Sequence, residues 1–139
     1  MTTPAAELAR QRLTRAVETL REAEVLTADR HWRGAINRLY YAAFYAAQAM
    51  LALRRLEASK HSVTIALFQQ HFVKAGLVPP EVARGLTRAF DKRQLTDYAD
   101  LSDPGAEDVQ EIDRSVRPFI QFCEQFVAEH VNQPDQNAD

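Results

Sequence analysis

Between Ile36 and Leu53 the chain carries apolar side chains around more than half of a helical circumference, with alanines filling the gaps. A helix apolar over so much of its surface cannot stand at the edge of a fold. It must be enclosed by other elements, and that makes it the centre of a bundle. The rest of the chain offers helices to enclose it. Ala, Leu, Arg, Glu and Gln dominate, all strong helix formers, and strand signals are nearly absent.

Five helices are predicted. Helix 1 runs from about Pro4, a residue suited to a first turn, to Thr27, with Leu13, Val17, Leu20 and Ala23 as its apolar stripe. Helix 2 runs from about Arg30 to Arg55, with Asp29 as its cap. Helix 3 starts near Ser59 and stops at Gly76, with His61, Ile65, Phe68 and Phe72 on one face. Helix 4 opens at Pro79-Pro80 and ends near Leu101, with Val82, Leu86, Phe90 and Asp97 spaced about a turn apart. Helix 5 follows Ser102-Asp103-Pro104, and Ile112, Val116, Phe119, Cys123 and Phe126 make its stripe. Pro118 lies inside it and should kink or divide it, because its nitrogen cannot bond back one turn. The expectation is an all-α, up-and-down bundle of four to five helices, one domain over residues 1–131, with a disordered polar tail at 132–139.

Bulk properties remove several function classes. The 139 residues suit one domain, and the net charge of -2 lacks the basic excess of a DNA-coating protein. A single cysteine, Cys123, permits no intrachain disulfide and no cysteine zinc site, and its place on an apolar stripe predicts an inert core residue. No metal or other cofactor is expected, since the four histidines show no ligand spacing. His31, His71 and His130 are expected to face solvent. The first residues lack a signal-peptide pattern, and no apolar run approaches the roughly 20 residues needed to span a bilayer, so a cytoplasmic location without membrane contact is expected.

Three segments carry polar chemistry. In the first, Asn37, Tyr41, Phe44 and Gln48 share one side of helix 2, and Tyr40, Phe44, Ala47 and Leu51 an overlapping side. Buried tyrosines need partners for their hydroxyls, so this is either an aromatic core with satisfied hydroxyls or the wall of a polar pocket. In the second, Arg93 and Asp97 are four apart and can pair along helix 4; alternatively the planar fork of Arg93 binds phosphate beside Asn37. In the third, Lys60-His61-Ser62 opens helix 3, where a helix N-terminus lowers the proton affinity of the imidazole.

Read together, Asn37-Arg38-x-Tyr40-Tyr41-Ala42-Ala43-Phe44, Lys60-His61-Ser62 and Arg93-x-x-x-Asp97-Tyr98 resemble the HEPN superfamily, in its branch of short stand-alone helical proteins. The resemblance covers roughly residues 5 to 130. It implies a helical dimer of the toxin–antitoxin or defence type, often encoded beside a minimal nucleotidyltransferase antitoxin, with RNA or a nucleotide as ligand. Many members cut RNA without a metal, through an Arg followed after four to six residues by a His.

Arg93 matches that Arg, but Tyr98, Ala99 and Asp100 occupy the positions of the His. A tyrosine, with an ordinary pKa near 10, is a poor base at neutral pH. On a straight helix Arg93 and Tyr98 also point about 140° apart. The candidate catalytic residues are therefore Arg93 and Tyr98, with His61 as a substitute imidazole. The candidate phosphate- or nucleotide-binding set is Asn37, Arg38, Tyr41, Arg93 and Asp97. Some related toxins are silenced by nucleotide transfer to a tyrosine just past the motif, and Tyr98 is the imperfect counterpart here. The first expectation is a binding module; the alternative is a metal-independent ribonuclease using Arg93 with a non-standard proton-transfer residue.

Overall fold

The computed structural model describes residues 3–98 and 103–131. Among the described residues five α-helices follow one another: α1 (Pro4–Ala28), α2 (Trp32–Leu53), α3 (His61–Phe68), α4 (Pro80–Tyr98) and α5 (Ala106–His130). A short π-helical turn, Gln69–Val73, extends α3. No strand occurs among the described residues. The polar tail expected at 132–139 lies outside the described residues, as do Ala99, Asp100, Leu101 and Ser102.

Helix α2 is the centre, packing against α1, α3, α4 and α5. Ala35, Ala42, Ala43, Ala46, Ala47 and Ala49 are all fully buried. Small side chains there let neighbouring helices come close, and Ile36, Leu39, Tyr40, Met50 and Leu51 fill the remaining space. Helix α1 runs antiparallel to α2, since Arg12 reaches the Gln48 carbonyl (3.2 Å) while Glu22 pairs with Arg38 (3.5 Å). Helix α4 runs antiparallel to α5, because Lys92 meets Asp108 while Gly85 lies against Ser115 and Phe119. Up-and-down order follows from the short connections.

The stripe of α5 is buried as expected, with Ile112, Val116, Phe119, Cys123 and Phe126 in the core. The face of α1 overlaps the expected one, with Ala23 in the core and Leu13 and Leu20 packed against it, but its centre is turned toward smaller residues. Ala9, Ala16, Thr19 and Ala23 are buried, and Leu13, Val17 and Leu20 are half-buried beside them. Close approach to the alanine-rich α2 favours the small residues of α1 at the contact, and the larger ones flank it. His130 and His71 are half-buried as well, and only His31 is exposed. The His130 ring stacks on Phe126 at 4.0 Å.

Helix ends show further differences. Thr3 caps α1 through its hydroxyl to the Ala6 amide at 3.1 Å, with Pro4 at the first position. Asp29 closes α1 instead of opening α2, whose cap is His31. The link turns through Arg30 at φ 62°, too tightly for Asp29 to reach the first amides of α2; its carboxylate pairs with His31 at 2.8 Å. Helix α3 begins one residue after Lys60, and Ser59 makes no cap. Gly76 ends the π turn at φ 77°, a conformation that glycine adopts freely. At α5, Gly105 takes the cap position and the Asp108 carboxylate reaches back to its amide at 2.8 Å. Pro118 does not divide α5. It and Arg114 are both exposed, so water can take the carbonyl that the proline leaves unbonded.

Among the described residues no helix is long and apolar enough to cross a membrane.

Candidate functional site

The middle of α2, the first residue of α3 and the second half of α4 meet around a group of rings. Helix α2 supplies Tyr40 and Phe44, one turn apart, and Tyr41 beside them. Helix α3 places His61 against all three. Its ring stacks on Phe44 at 4.3 Å and on Tyr40 at 5.6 Å, and meets Tyr41 edge-on at 5.5 Å. The Tyr40 hydroxyl and Nδ1 of His61 are 2.6 Å apart. This hydrogen bond answers the need of a fully buried tyrosine for a polar partner.

Arg93 enters from α4. Its guanidinium carbon lies 5.1 Å from the ring centres of both Tyr40 and Tyr41, within cation–π range. The side chain is only 23% exposed. Its Nε stands 3.4 Å from the Asp97 carboxylate, an ion-pair distance, yet it is buried and has no aligned hydrogen-bond acceptor. Arg93 is therefore held by rings and charge rather than by a saturated hydrogen-bond set.

Electrostatics follow from this enclosure. Burial pushes the Tyr40 hydroxyl well above the ordinary range of a phenol, although the charge of Arg93 pulls the other way. The His61 imidazole is pushed below its usual value, first by burial and then by Arg93. The sequence pointed to the helix N-terminus for that lowering; the structure supplies burial and a neighbouring cation as causes. His61 is neutral at pH 7. With Tyr40 on Nδ1, its other nitrogen is left for a ligand or for water.

Asn37 and Arg38 form the adjoining part. The Asn37 amide oxygen accepts from Nε (3.2 Å) and Nη2 (2.8 Å) of Arg38. The Arg38 guanidinium lies 5.0 Å from the centre of the Tyr41 ring. Asn37 thus turns its oxygen to Arg38, and the ring of Tyr41 is what joins this pair to Arg93. Tyr98 stands apart, 84% exposed, as its offset along α4 requires. Ala99 and Asp100, the other two positions where the motif would place a His, lie outside the described residues.

Of the sequence candidates, the structure brings Arg93, Asp97, His61, Tyr41, Arg38 and Asn37 to one region and leaves Tyr98 out. Tyr40 was absent from the candidate set. The signal for it was present in two separated facts: a tyrosine on the apolar side of α2, and an unpaired imidazole at the start of α3. Among the described residues no group of His, Cys, Asp and Glu side chains is arranged to hold a metal ion.

A UPF0332 protein of Thermotoga maritima is 35% identical over 81% of this chain and 86% of its own length. A UPF0332 protein of Gloeobacter violaceus is 35% identical over 84% of this chain and 94% of its own. A Methanocaldococcus jannaschii protein that bears the name "Putative toxin" is 30% identical over 76% of this chain and 78% of its own. The HEPN domain model matches residues 9–126, which include every residue of the ring cluster, and the chain belongs to the HEPN domain family.

Proposed function

We propose that this protein is a toxin-type HEPN protein that binds the phosphate of RNA or of a nucleotide at Arg93. It acts as a homodimer and pairs with a minimal nucleotidyltransferase antitoxin. The observation that carries the reading is the placement of Arg93 over two tyrosine rings, beside a neutral imidazole, with its buried Nε lacking an aligned hydrogen-bond acceptor. A guanidinium pre-positioned in this way loses little freedom on meeting an anion, and its fork matches phosphate oxygens. The exposed Tyr98 is open to modification by the partner. The toxin role draws on the name carried by the M. jannaschii relative.

Titration of labelled single-stranded RNA and of inorganic phosphate against the purified protein tests this. Binding that weakens at least tenfold in Arg93→Ala supports it. Equal binding by Arg93→Ala, or none by the native protein, overturns it. Co-purification with a co-expressed nucleotidyltransferase tests the pairing, and intact mass afterwards reports whether Tyr98 carries a nucleotide.

The second reading is metal-independent RNA cleavage, with His61 as the non-standard proton-transfer residue. The Tyr40–His61 bond favours it, because it fixes an imidazole close to Arg93. To take a proton at Nε2, the imidazole must hold its own proton on Nδ1 and donate it to the Tyr40 oxygen. Cleavage in EDTA that is abolished in both Arg93→Ala and His61→Gln would support this reading, and intact RNA after prolonged incubation would sink it.

A further inference from the structure

A second recess lies between α1 and α2, a groove of about 360 Å³ whose lining includes Arg15, Glu18, Glu22, Arg38 and Tyr45. Arg38 belongs to both this groove and the ring cluster, lying over Tyr41 and forming part of the groove wall. Tyr45 follows Tyr41 by one turn, with ring centres 5.9 Å apart, and Arg15 covers Tyr45 at 4.6 Å. A run of guanidinium and phenol faces therefore leads from Arg93 through Tyr41 into the groove.

The charges there decide what the groove suits. Two arginines face two glutamates, and Arg38 is already paired with Glu22 at 3.5 Å. A second phosphate would meet both carboxylates, so the balance disfavours an anion. A flat neutral heterocycle fits better. Its faces can stack on a tyrosine ring or a guanidinium plane, and its exocyclic amine can donate to a glutamate. The volume falls within the usual range for small-molecule sites.

We propose that this groove is a nucleobase subsite that takes an amine-bearing base (adenine, cytosine or guanine) in preference to uracil, from a nucleotide whose phosphate is held at Arg93. The proposal rests on the phosphate-binding reading above. The Arg15 guanidinium, seated on the Tyr45 ring, supplies the stacking face, Glu18 accepts from the amine, and Arg38 lines the side toward Tyr41 and Arg93.

Calorimetric titration with inorganic phosphate, ribose 5-phosphate, UMP and AMP tests it. AMP is expected to bind at least tenfold tighter than ribose 5-phosphate and UMP. Tyr45→Ala should bring AMP down toward the level of ribose 5-phosphate and Glu18→Ala toward that of UMP, with inorganic phosphate unchanged. Tyr45→Phe, which keeps the ring, should retain the preference for AMP. Glu18 is exposed, so its variant also guards against a folding defect in Tyr45→Ala. AMP binding no tighter than UMP or ribose 5-phosphate overturns the subsite, as does an AMP preference that survives both variants; either result leaves phosphate binding standing. If none of the four probes binds, the phosphate reading itself fails.

Discussion

The Tyr40 hydroxyl stands 2.6 Å from Nδ1 of His61, a hydrogen bond that ties the middle of α2 to the first residue of α3. Tyr40 is fully buried and His61 is half-buried, so each is the other's substitute for water. Tyr40→Phe keeps the ring packing and deletes one partner. The expected cost is about 1–3 kcal/mol, the range for leaving a shielded polar group unsatisfied. Urea denaturation measures it. Nitrogen-15 NMR of His61 should also show a changed balance between its two neutral tautomers. An unchanged midpoint and unchanged shifts would mean that the bond is not formed in solution.

The depressed proton affinity of His61 makes stability depend on pH. Burial and Arg93 lower its folded pKa below the unfolded value of about 6.5. Between those two values the unfolded chain binds the additional proton, so stability rises with pH across that window. The contribution of His61 is fully present above about pH 6.5 and is lost as pH falls through the folded value. Denaturation midpoints should rise with pH across that window, and less steeply in His61→Gln. An NMR titration midpoint for His61 at or above 6.5 would contradict the enclosure described.

Helices α4 and α5 touch at a glycine. A methyl group at Gly85 would stand 2.3 Å from the Ser115 carbonyl oxygen and 2.7 Å from the Phe119 Cβ. The first of these is backbone and cannot swing aside. Gly85→Ala gains helix propensity, worth about 1 kcal/mol in an open helix. The overlap outweighs that gain, since forced overpacking costs about 1–3 kcal/mol and here requires the helices to separate. The expected result is a less stable protein with a lower urea midpoint. A more stable variant would show that the two helices stand farther apart.

Much of this architecture is legible in the residues. The stripe of α5 is periodic enough to name its buried face, and the alanine-filled surface of α2 announces a central helix. Where two small faces meet, the same reasoning fails. Alanines look indifferent in a hydrophobicity pattern, so Leu13, Val17 and Leu20 are read with Ala23 as the contact of α1, whereas Ala9 and Ala16 join Ala23 at its centre and the larger residues flank it. The candidate site is legible in parts. Periodicity assigns Tyr40, His61 and Arg93 to faces of their own helices. It does not say which face meets which across 21 and 32 residues of chain, because that depends on how the bundle closes. Asn37 illustrates the limit: it is one turn before Tyr41 on α2, but its oxygen is taken by Arg38 next to it.

Cys123 is fully buried on the inner stripe of α5, and burial raises its thiol pKa well above the usual value. The thiolate is the reactive form, so both its scarcity and its enclosure should protect it. A colorimetric disulfide reagent at pH 8 is expected to leave the native protein unmodified over minutes and to titrate one thiol at once in concentrated urea. Fast reaction without urea would mean that α5 opens readily.

Arg93→Lys separates charge from shape. The lysine keeps a positive charge on α4 but has a compact ammonium group in place of a planar fork. A guanidinium can lie over both Tyr40 and Tyr41 and still turn its outer nitrogens to an anion. An ammonium covers one ring poorly and offers no paired donors. If the phosphate site depends on that planar fit, Arg93→Lys should lose most of the affinity that Arg93→Ala loses, about tenfold or about 1.4 kcal/mol. If only charge matters, lysine should restore near-native binding. Parallel titrations of phosphate against the native protein and both variants distinguish these outcomes. Full rescue by lysine would reduce the two tyrosine rings from a guanidinium cradle to ordinary packing.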